Sequence, residues 1–293
     1  MTVTPRGRGR ALQAVLVATL CLYGIAARAA CPAEAQIKAM AEASLAGDTV
    51  EPPNGLSSED ARCGQERFVK VLMRTLGPPV GYKVGITSPA RQAAFGLKGP
   101  VWGVLLRNML RPNGASFPAK FGARPVIEPD LLVRVKSDGL EKAKTPLEAA
   151  RHLSEIIPFI EVPDLRFSES ARPDGGALVA IDVGALAGVI GTPVPVEASQ
   201  AFVDALATMR VVLQDGGGGE QRGLGAAVME NPLYAVIWLA QELAADGRRL
   251  KRGDLISVGT FLPAPAPVPG RTYTVRYEGL PVATDPVVTV SFE

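Results

Sequence analysis

Residues 125–135 read PVIEPDLLVRV, an apolar run that carries two carboxylates and a proline. Read as a strand, its side chains alternate. Val126, Glu128 and Asp130 then share one face, while Ile127 and Leu131 take the other. Two like charges on one face of an apolar run repel unless something positive sits between them. A divalent cation supplies that charge, and hard carboxylate oxygens suit magnesium or manganese. The plainer alternative is an acidic strand end with both carboxylates in water, and spacing alone does not separate the two. Pro129 removes a ladder donor, which predicts an edge strand or a bulge at this point.

Working outward, a third carboxylate, Glu161, sits in the apolar run IIPFIEVPDL (156–165). Lys83 sits in GYKVGITS (81–88), flanked by Val84, Ile86 and glycines. Burying such a lysine is costly without an anionic partner. A buried lysine shifts its pKa readily and can serve as acid, base or substrate clamp. The bland reading is a strand residue with its head in solvent.

Further short runs rich in Val and Ile follow the same pattern: ALVAIDVGAL (177–186), MRVVLQD (209–215), LISVGTFL (255–262), YTVRYEGL (273–280) and PVVTVSF (286–292). QDGGGGEQRG (214–223) reads as a flexible hairpin loop; it has no P-loop lysine. Helices are few. Residues 31–50 carry Ile37, Met40, Ala41 and Leu45 on one face. Residues 57–77 open with serines and acids and carry Phe68, Val69, Leu72 and Leu76. TPLEAARHLSEII (145–157) is predicted helical behind Thr145, and NPLYAVIWLAQELAADG (231–247) has Asn231 as cap, Pro232 in the first turn and Gly247 as stop. The fold class is therefore α+β, dominated by mixed or antiparallel sheet. The 31 glycines and 25 prolines agree with a turn-rich chain of this kind.

The first 29 residues form a separate unit. A basic opening with Arg6, Arg8 and Arg10 precedes the apolar run ALQAVLVATLCLYGIA (11–26), and Ala27 and Ala29 give the small-x-small pattern of a signal-peptidase site. The run is about 16 residues, short of the roughly 20 that a membrane span needs. We therefore expect a signal peptide over 1–29, a helical segment over 30–78, a catalytic domain over 79–293, and an exported, periplasmic protein with no membrane attachment after cleavage. The net charge of +2 gives no reason to expect a nucleic-acid partner, and removing those residues with Arg28 leaves about 27 basic against 29 acidic residues, a net charge of roughly −2. Cys21 leaves with the apolar run, and the remaining pair, Cys31 and Cys63, is expected to form a disulfide in an oxidising compartment.

There is one histidine, His152, placed inside a helical pattern and read as structural. Serine–histidine and cysteine–histidine triads and histidine-rich zinc sites would all depend on it. Chemistry must run on carboxylates, lysine, tyrosine or a hard metal ion.

Four blocks in order, GYKVGITSPARQAAFGLKGPVWGVLL (81–106), PVIEPDLLVRV (125–135), IIPFIEVPDLRF (156–167) and the stretch 231–280 around RGDLISVGT, resemble the 2-keto-4-pentenoate hydratases. These belong, with the 4-oxalocrotonate decarboxylases, to the fumarylacetoacetate hydrolase superfamily. The resemblance implies a mixed β-sandwich roll with a helical N-terminal portion. It implies Mg2+ or Mn2+ held by Glu128, Asp130 and Glu161, with Lys83 positioning a substrate carboxylate or carrying a proton. The implied activity is a hydro-lyase adding water to a 2-hydroxy-2,4-dienoate. Decarboxylation or C–C hydrolysis of a related 2-oxo acid, or a non-catalytic exported binding role, remain open, as does a homo-oligomer. Asp130 stands where the family usually has glutamate, which shortens its reach by about 1.5 Å against a metal–ligand tolerance of roughly 0.2 Å. Val101, Val183 and Ala185 stand where polar residues are usual.

Overall fold

The computed structural model describes residues 1–4, 31–118 and 120–293. The apolar run 11–26, Cys21 and the cleavage site near Ala29 lie outside the described residues. Cys31–Glu293 forms one compact unit.

Among the described residues the seven α-helices are α1 (Glu34–Ala46), α2 (Ser58–Leu76), α3 (Pro89–Ala94), α4 (Pro146–Ala150), α5 (Gly175–Ala180), α6 (Gln200–Thr208) and α7 (Pro232–Ala245). The first strands are β1 (Pro79–Gly85), β2 (Val101–Leu106), β3 (Leu110–Pro112), β4 (Ser116–Phe117), β5 (Glu128–Val135), β6 (Leu153–Val162) and β7 (Ala187–Ile190). They are followed by β8 (Val194–Pro195), β9 (Arg210–Gln214), β10 (Glu220–Leu224), β11 (Leu255–Ser257), β12 (Thr272–Glu278) and β13 (Val287–Phe292). An eight-stranded mixed sheet runs β2-β1-β11-β5-β6-β7-β3 with β8 paired to β6, and a five-stranded sheet runs β10-β9-β12-β13-β4.

Local chemistry explains the helices. Ser57 caps α2 by accepting the Asp60 N–H at 3.1 Å, with Glu59 and Asp60 in its first turn. Its face Ala61, Gln65, Phe68, Val69 and Leu72 is buried, and α1 packs Ile37, Met40 and Ala41 into the same core. Cys31 and Cys63 are bonded, tying the start of the described unit to α2. Asn231 caps α7 by accepting the Leu233 N–H at 3.0 Å, and Gly247 adopts the left-handed conformation just past the helix. The main core lies where Tyr273, Val275 and Tyr277 of β12 and Val288, Val290 and Phe292 of β13 meet Leu131, Val133, Ile156 and Ile160 of the large sheet.

Three local expectations are corrected. The predicted helix over 145–157 ends at Ala150, and β6 begins at Leu153; Pro158 and the continuous apolar run Ile156–Ile160 fit a strand buried between two neighbours. His152 sits in the intervening turn, its Nδ1 3.0 Å from Ser137 Oγ. The predicted strand over 177–186 is helix α5 and a 3₁₀ turn: Asp174 caps it by accepting the Ala177 N–H at 2.8 Å, and Ala180 lies close enough to Gly64 of α2 that a Cβ there would be 3.3 Å away. Pro129 lies in a central strand, paired in register opposite Ile160; the irregularity of β5 against β6 falls further on, at Arg134 and Val135. Its carbonyl accepts from the Phe261 N–H at 3.0 Å, on the side where β11 has already ended at Ser257, so no ladder bond misses its N–H.

Candidate active site

Strand β5 presents Glu128 directly opposite Glu161 of β6, with Asp130 two residues further on the same face. Lys83 comes from β1, and the sheet coils enough for its Nζ to lie 2.6 Å from Glu161 Oε1. Lys83, Asp130 and Glu161 are buried, at 2%, 0% and 1% exposure, and Glu128 is half-buried. Ions this deep must be paired. Burial would lower the Lys83 ammonium, but Glu161 and Glu128 outweigh it and hold its pKa above the ordinary value. Burial raises Glu161, opposed by Lys83. Burial also pushes Glu128 up to about 7, with Glu161 adding to the rise while Lys83 and Arg91 oppose it.

Asp130 behaves differently. Ser257 Oγ donates to it at 2.5 Å, the Val258 and Gly259 N–H groups donate at 3.1 Å, and the Leu131 N–H donates at 2.5 Å. Both oxygens are engaged, and the carboxylate ties β5 to the turn after β11. Burial, then Glu161, lifts its pKa well above the carboxylate range. Among the described residues, no three His, Cys, Asp or Glu side chains converge at ligand spacing.

Glu161 Oε2 is buried and accepts no hydrogen bond, and Glu128 faces it across the strand pair. An acceptor-rich pair with an unfilled buried oxygen fits a hard divalent cation. Glu128 and Glu161 thus present free oxygens, whereas Asp130 would have to exchange its contacts with Ser257, Val258 and Gly259 to become a third ligand.

Backbone strain surrounds Lys83. Ile86, Asp182 and Val183 adopt φ of 55°, 60° and 52°, a conformation that costs about 1–3 kcal/mol for a non-glycine residue. The Val183 carbonyl accepts from Lys83 Nζ at 3.2 Å. Val183 packs with Val101, Val179 and Ala61, and Ile86, Leu56 and Leu97 border this apolar cluster. Asp182 Oδ1 accepts from the Val104 N–H at 2.7 Å and Gln65 Nε2 at 2.9 Å, while Oδ2 is buried without a partner. Gln65, Ser257, Arg166 and Tyr277 were not singled out in the sequence. Ser257 alone carried a signal, as a polar group inside the apolar run LISVGTFL.

Gly103 on β2 is required by this crowding, since a Cβ there would lie 2.6 Å from the Asp182 carbonyl and 3.1 Å from Lys83 Cγ. Gly103→Ala is expected to destabilise by about 2–4 kcal/mol and to lower kcat/KM by about tenfold or more, checked by urea unfolding and steady-state assay.

No family model matches the chain. Compared with known proteins, it is 32% identical over 201 residues to a 4-oxalocrotonate decarboxylase of Pseudomonas putida, covering 69% of this chain and 74% of that one. The chain belongs to the family of the 2-keto-4-pentenoate hydratases and 4-oxalocrotonate decarboxylases. Within this hydratase–decarboxylase family, it is 30% identical over 232 residues to the 2-oxo-hept-4-ene-1,7-dioate hydratase of Escherichia coli, covering 76% and 84% of the two chains. The solved 4-oxalocrotonate decarboxylase from Pseudomonas putida G7, complexed with magnesium and adipate, superposes with a TM-score of 0.75 at 27% identity, over 89% of this chain and 98% of that one. A fumarylpyruvate hydrolase from Pseudomonas aeruginosa, with a TM-score of 0.50 at 20% identity over 72% of this chain and 89% of that one, shares the fold. This hydratase–decarboxylase family member is an enzyme of the fumarylacetoacetate hydrolase superfamily, with its α+β fold of mixed sheets and helices.

Proposed function

We propose that the protein is a divalent-metal-dependent lyase of small 2-oxo acids that adds water to a 2-hydroxy-2,4-dienoate of the 2-oxo-4-pentenoate type. The observation that carries this reading is the buried Lys83–Glu161 pair facing Glu128, with one Glu161 oxygen unfilled. Glu128 and Glu161 would hold Mg2+ or Mn2+, and Asp130 would join them only by giving up its contacts to Ser257, Val258 and Gly259. The cation supplies Lewis acidity, stabilising negative charge that develops on the 2-oxygen of the substrate. Lys83 holds a proton at Nζ close to where a substrate carboxylate would approach the Glu128–Glu161 edge, so it can clamp that carboxylate or transfer the proton. The solved P. putida G7 decarboxylase is complexed with magnesium and adipate, which supports a divalent cation and an acidic ligand here.

Decarboxylation is the second reading. It is favoured by the apolar side chains of Val101 and Val183, which transfer no proton themselves. The test is an absorbance assay for loss of 2-hydroxypenta-2,4-dienoate, and a parallel assay for CO2 from 4-oxalocrotonate, each with Mg2+ or Mn2+. Hydration with no CO2 supports the first reading; CO2 alone moves the assignment to the second; no turnover and no bound metal in the folded protein defeats both.

We also propose export to the periplasm, supported by the layout of residues 1–29 and by the Cys31–Cys63 bond. An intact mass beginning at Ala30 is the expected result; a mass retaining the first 29 residues would refute it.

A further inference from the structure

Arg166 is fully buried, and the residues around it are organised by its guanidinium. Nη1 donates to the Ile181 carbonyl at 3.1 Å and Nη2 donates to the Ala185 carbonyl at 2.6 Å. These two carbonyls bracket Asp182, Val183 and Gly184, three consecutive residues with φ of 60°, 52° and 72°. A β-branched residue such as Val183 does not hold a left-handed conformation unaided. The guanidinium is itself fixed. The Arg166 backbone N–H donates to Asp164 Oδ1 at 3.1 Å and the guanidinium lies 5.3 Å from the centroid of the Phe68 ring; burial lowers its pKa, opposed by the carboxylates of Asp164 and Asp182. From the other side, Gln65 and the Val104 N–H hold Asp182. The product of this arrangement is one carbonyl, that of Val183, presented to Lys83 Nζ.

The geometry points to Arg166 as a positioning residue: by clamping the Ile181 and Ala185 carbonyls it forces Val183 into its strained conformation, and the Val183 carbonyl then orients the Lys83 ammonium toward Glu161. The importance of Lys83 to turnover rests on the lyase reading above; the clamp itself does not.

Glycine adopts the left-handed conformation without strain, so it provides the discriminating test. If the clamp exists to enforce the conformation of residue 183, Val183→Gly makes it dispensable. Four proteins are compared: wild type, Arg166→Met, Val183→Gly and the double variant. The first readout needs no substrate. Acetylation of Lys83 by acetic anhydride, mapped by mass spectrometry and normalised to the exposed Lys70, is expected to rise about tenfold in Arg166→Met and to return in the double variant to the level of Val183→Gly alone. The second readout is kcat/KM, expected to fall about 100-fold in Arg166→Met, the scale of a displaced catalytic group, and to recover in the double variant to that of Val183→Gly alone. A general loss of core stability would not be repaired at position 183. Should Arg166→Met fail to fold, Arg166→Lys, which keeps the charge but not the two-pronged donation, replaces it in the same four-way comparison. A folded variant with unchanged Lys83 labelling, or a rise in labelling that Val183→Gly does not reverse, overturns the proposal. If wild type proves inactive on 2-oxo acids, the labelling comparison still decides the clamp while the lyase reading fails alone.

Discussion

Replacing Glu161 with glutamine is expected to lower Mn2+ affinity about 100-fold and kcat/KM about 10²–10³-fold, and to destabilise the metal-free protein by about 3–5 kcal/mol. The three effects have one origin. Glu161 supplies the unfilled buried oxygen and is also the carboxylate that neutralises Lys83 at 2.6 Å. Glutamine leaves the Lys83 ammonium buried with its nearest anion gone. Lys83→Met has a different signature: turnover falls, but Mn2+ affinity is kept or increases, because the cation no longer competes with an ammonium for Glu161. The double variant Lys83→Met with Glu161→Gln is expected to be more stable than Glu161→Gln alone, since it removes the unpaired charge. Urea unfolding without metal, electron paramagnetic resonance of Mn2+ and steady-state kinetics separate these outcomes. Tight Mn2+ binding by Glu161→Gln would remove Glu161 from the ligand set.

Asp182→Asn is expected to flatten the dependence of stability on pH. Burial pushes the Asp182 carboxyl up to about 7, against the opposing bonds from Val104 and Gln65 and the charges of Arg166 and Lys83. Its value in the unfolded chain is about 3.9. A carboxyl raised on folding binds its proton more tightly in the native state. Its stabilising contribution is therefore complete below about pH 4 and is lost as pH rises through about 7, a change of roughly 4 kcal/mol. Glu128, Asp130 and Glu161 are raised as well and tilt the curve the same way, so the difference between wild type and Asp182→Asn isolates one group. Asparagine keeps the acceptor for the Val104 N–H. The expected result is a gap in melting temperature that opens in favour of Asp182→Asn between about pH 4 and 7; parallel curves over that range would show that Asp182 binds its proton no more tightly in the native than in the unfolded chain.

Much of the architecture could be read from local signals. Asn231 and Pro232 mark the start of α7, Ser57 and the following acids mark α2, and TYTVRYE alternates as β12 does, with Tyr273, Val275 and Tyr277 buried. Helix α5 was missed because its 6 residues are too few to show a helical period and its apolar residues are continuous. The start of β6 was missed because an N-terminal cap at Thr145 is a true helix signal for a helix that lasts only to Ala150. The site divides in the same way. Alternation puts Glu128 and Asp130 on one face, and the pairing of β5 with β6 does bring Glu161 opposite Glu128. The orientation of the Asp130 carboxylate could not be read, because it is set by Ser257, Val258 and Gly259, which lie more than a hundred positions away in the chain. The roles of Arg166 and Gln65 are also set by other elements: the carbonyl partners of Arg166 lie 15 and 19 residues on, and Gln65 meets Asp182 117 positions away.

Tyr277 of the small sheet sits in the main core, and its hydroxyl reaches between β5 and β6. It donates to the Asp130 carbonyl, lies 3.0 Å from the Phe159 carbonyl and accepts from the Phe159 N–H at 3.3 Å. Asp130 and Phe159 are cross-strand partners, one step from the pair Glu128 and Glu161. A slip of one residue between these strands would send the two glutamates to opposite faces. It would also remove one of the backbone groups that the phenol requires. The smaller sheet contributes no acid and no lysine to the described site, yet through one phenol it pins the alignment of the two acidic strands.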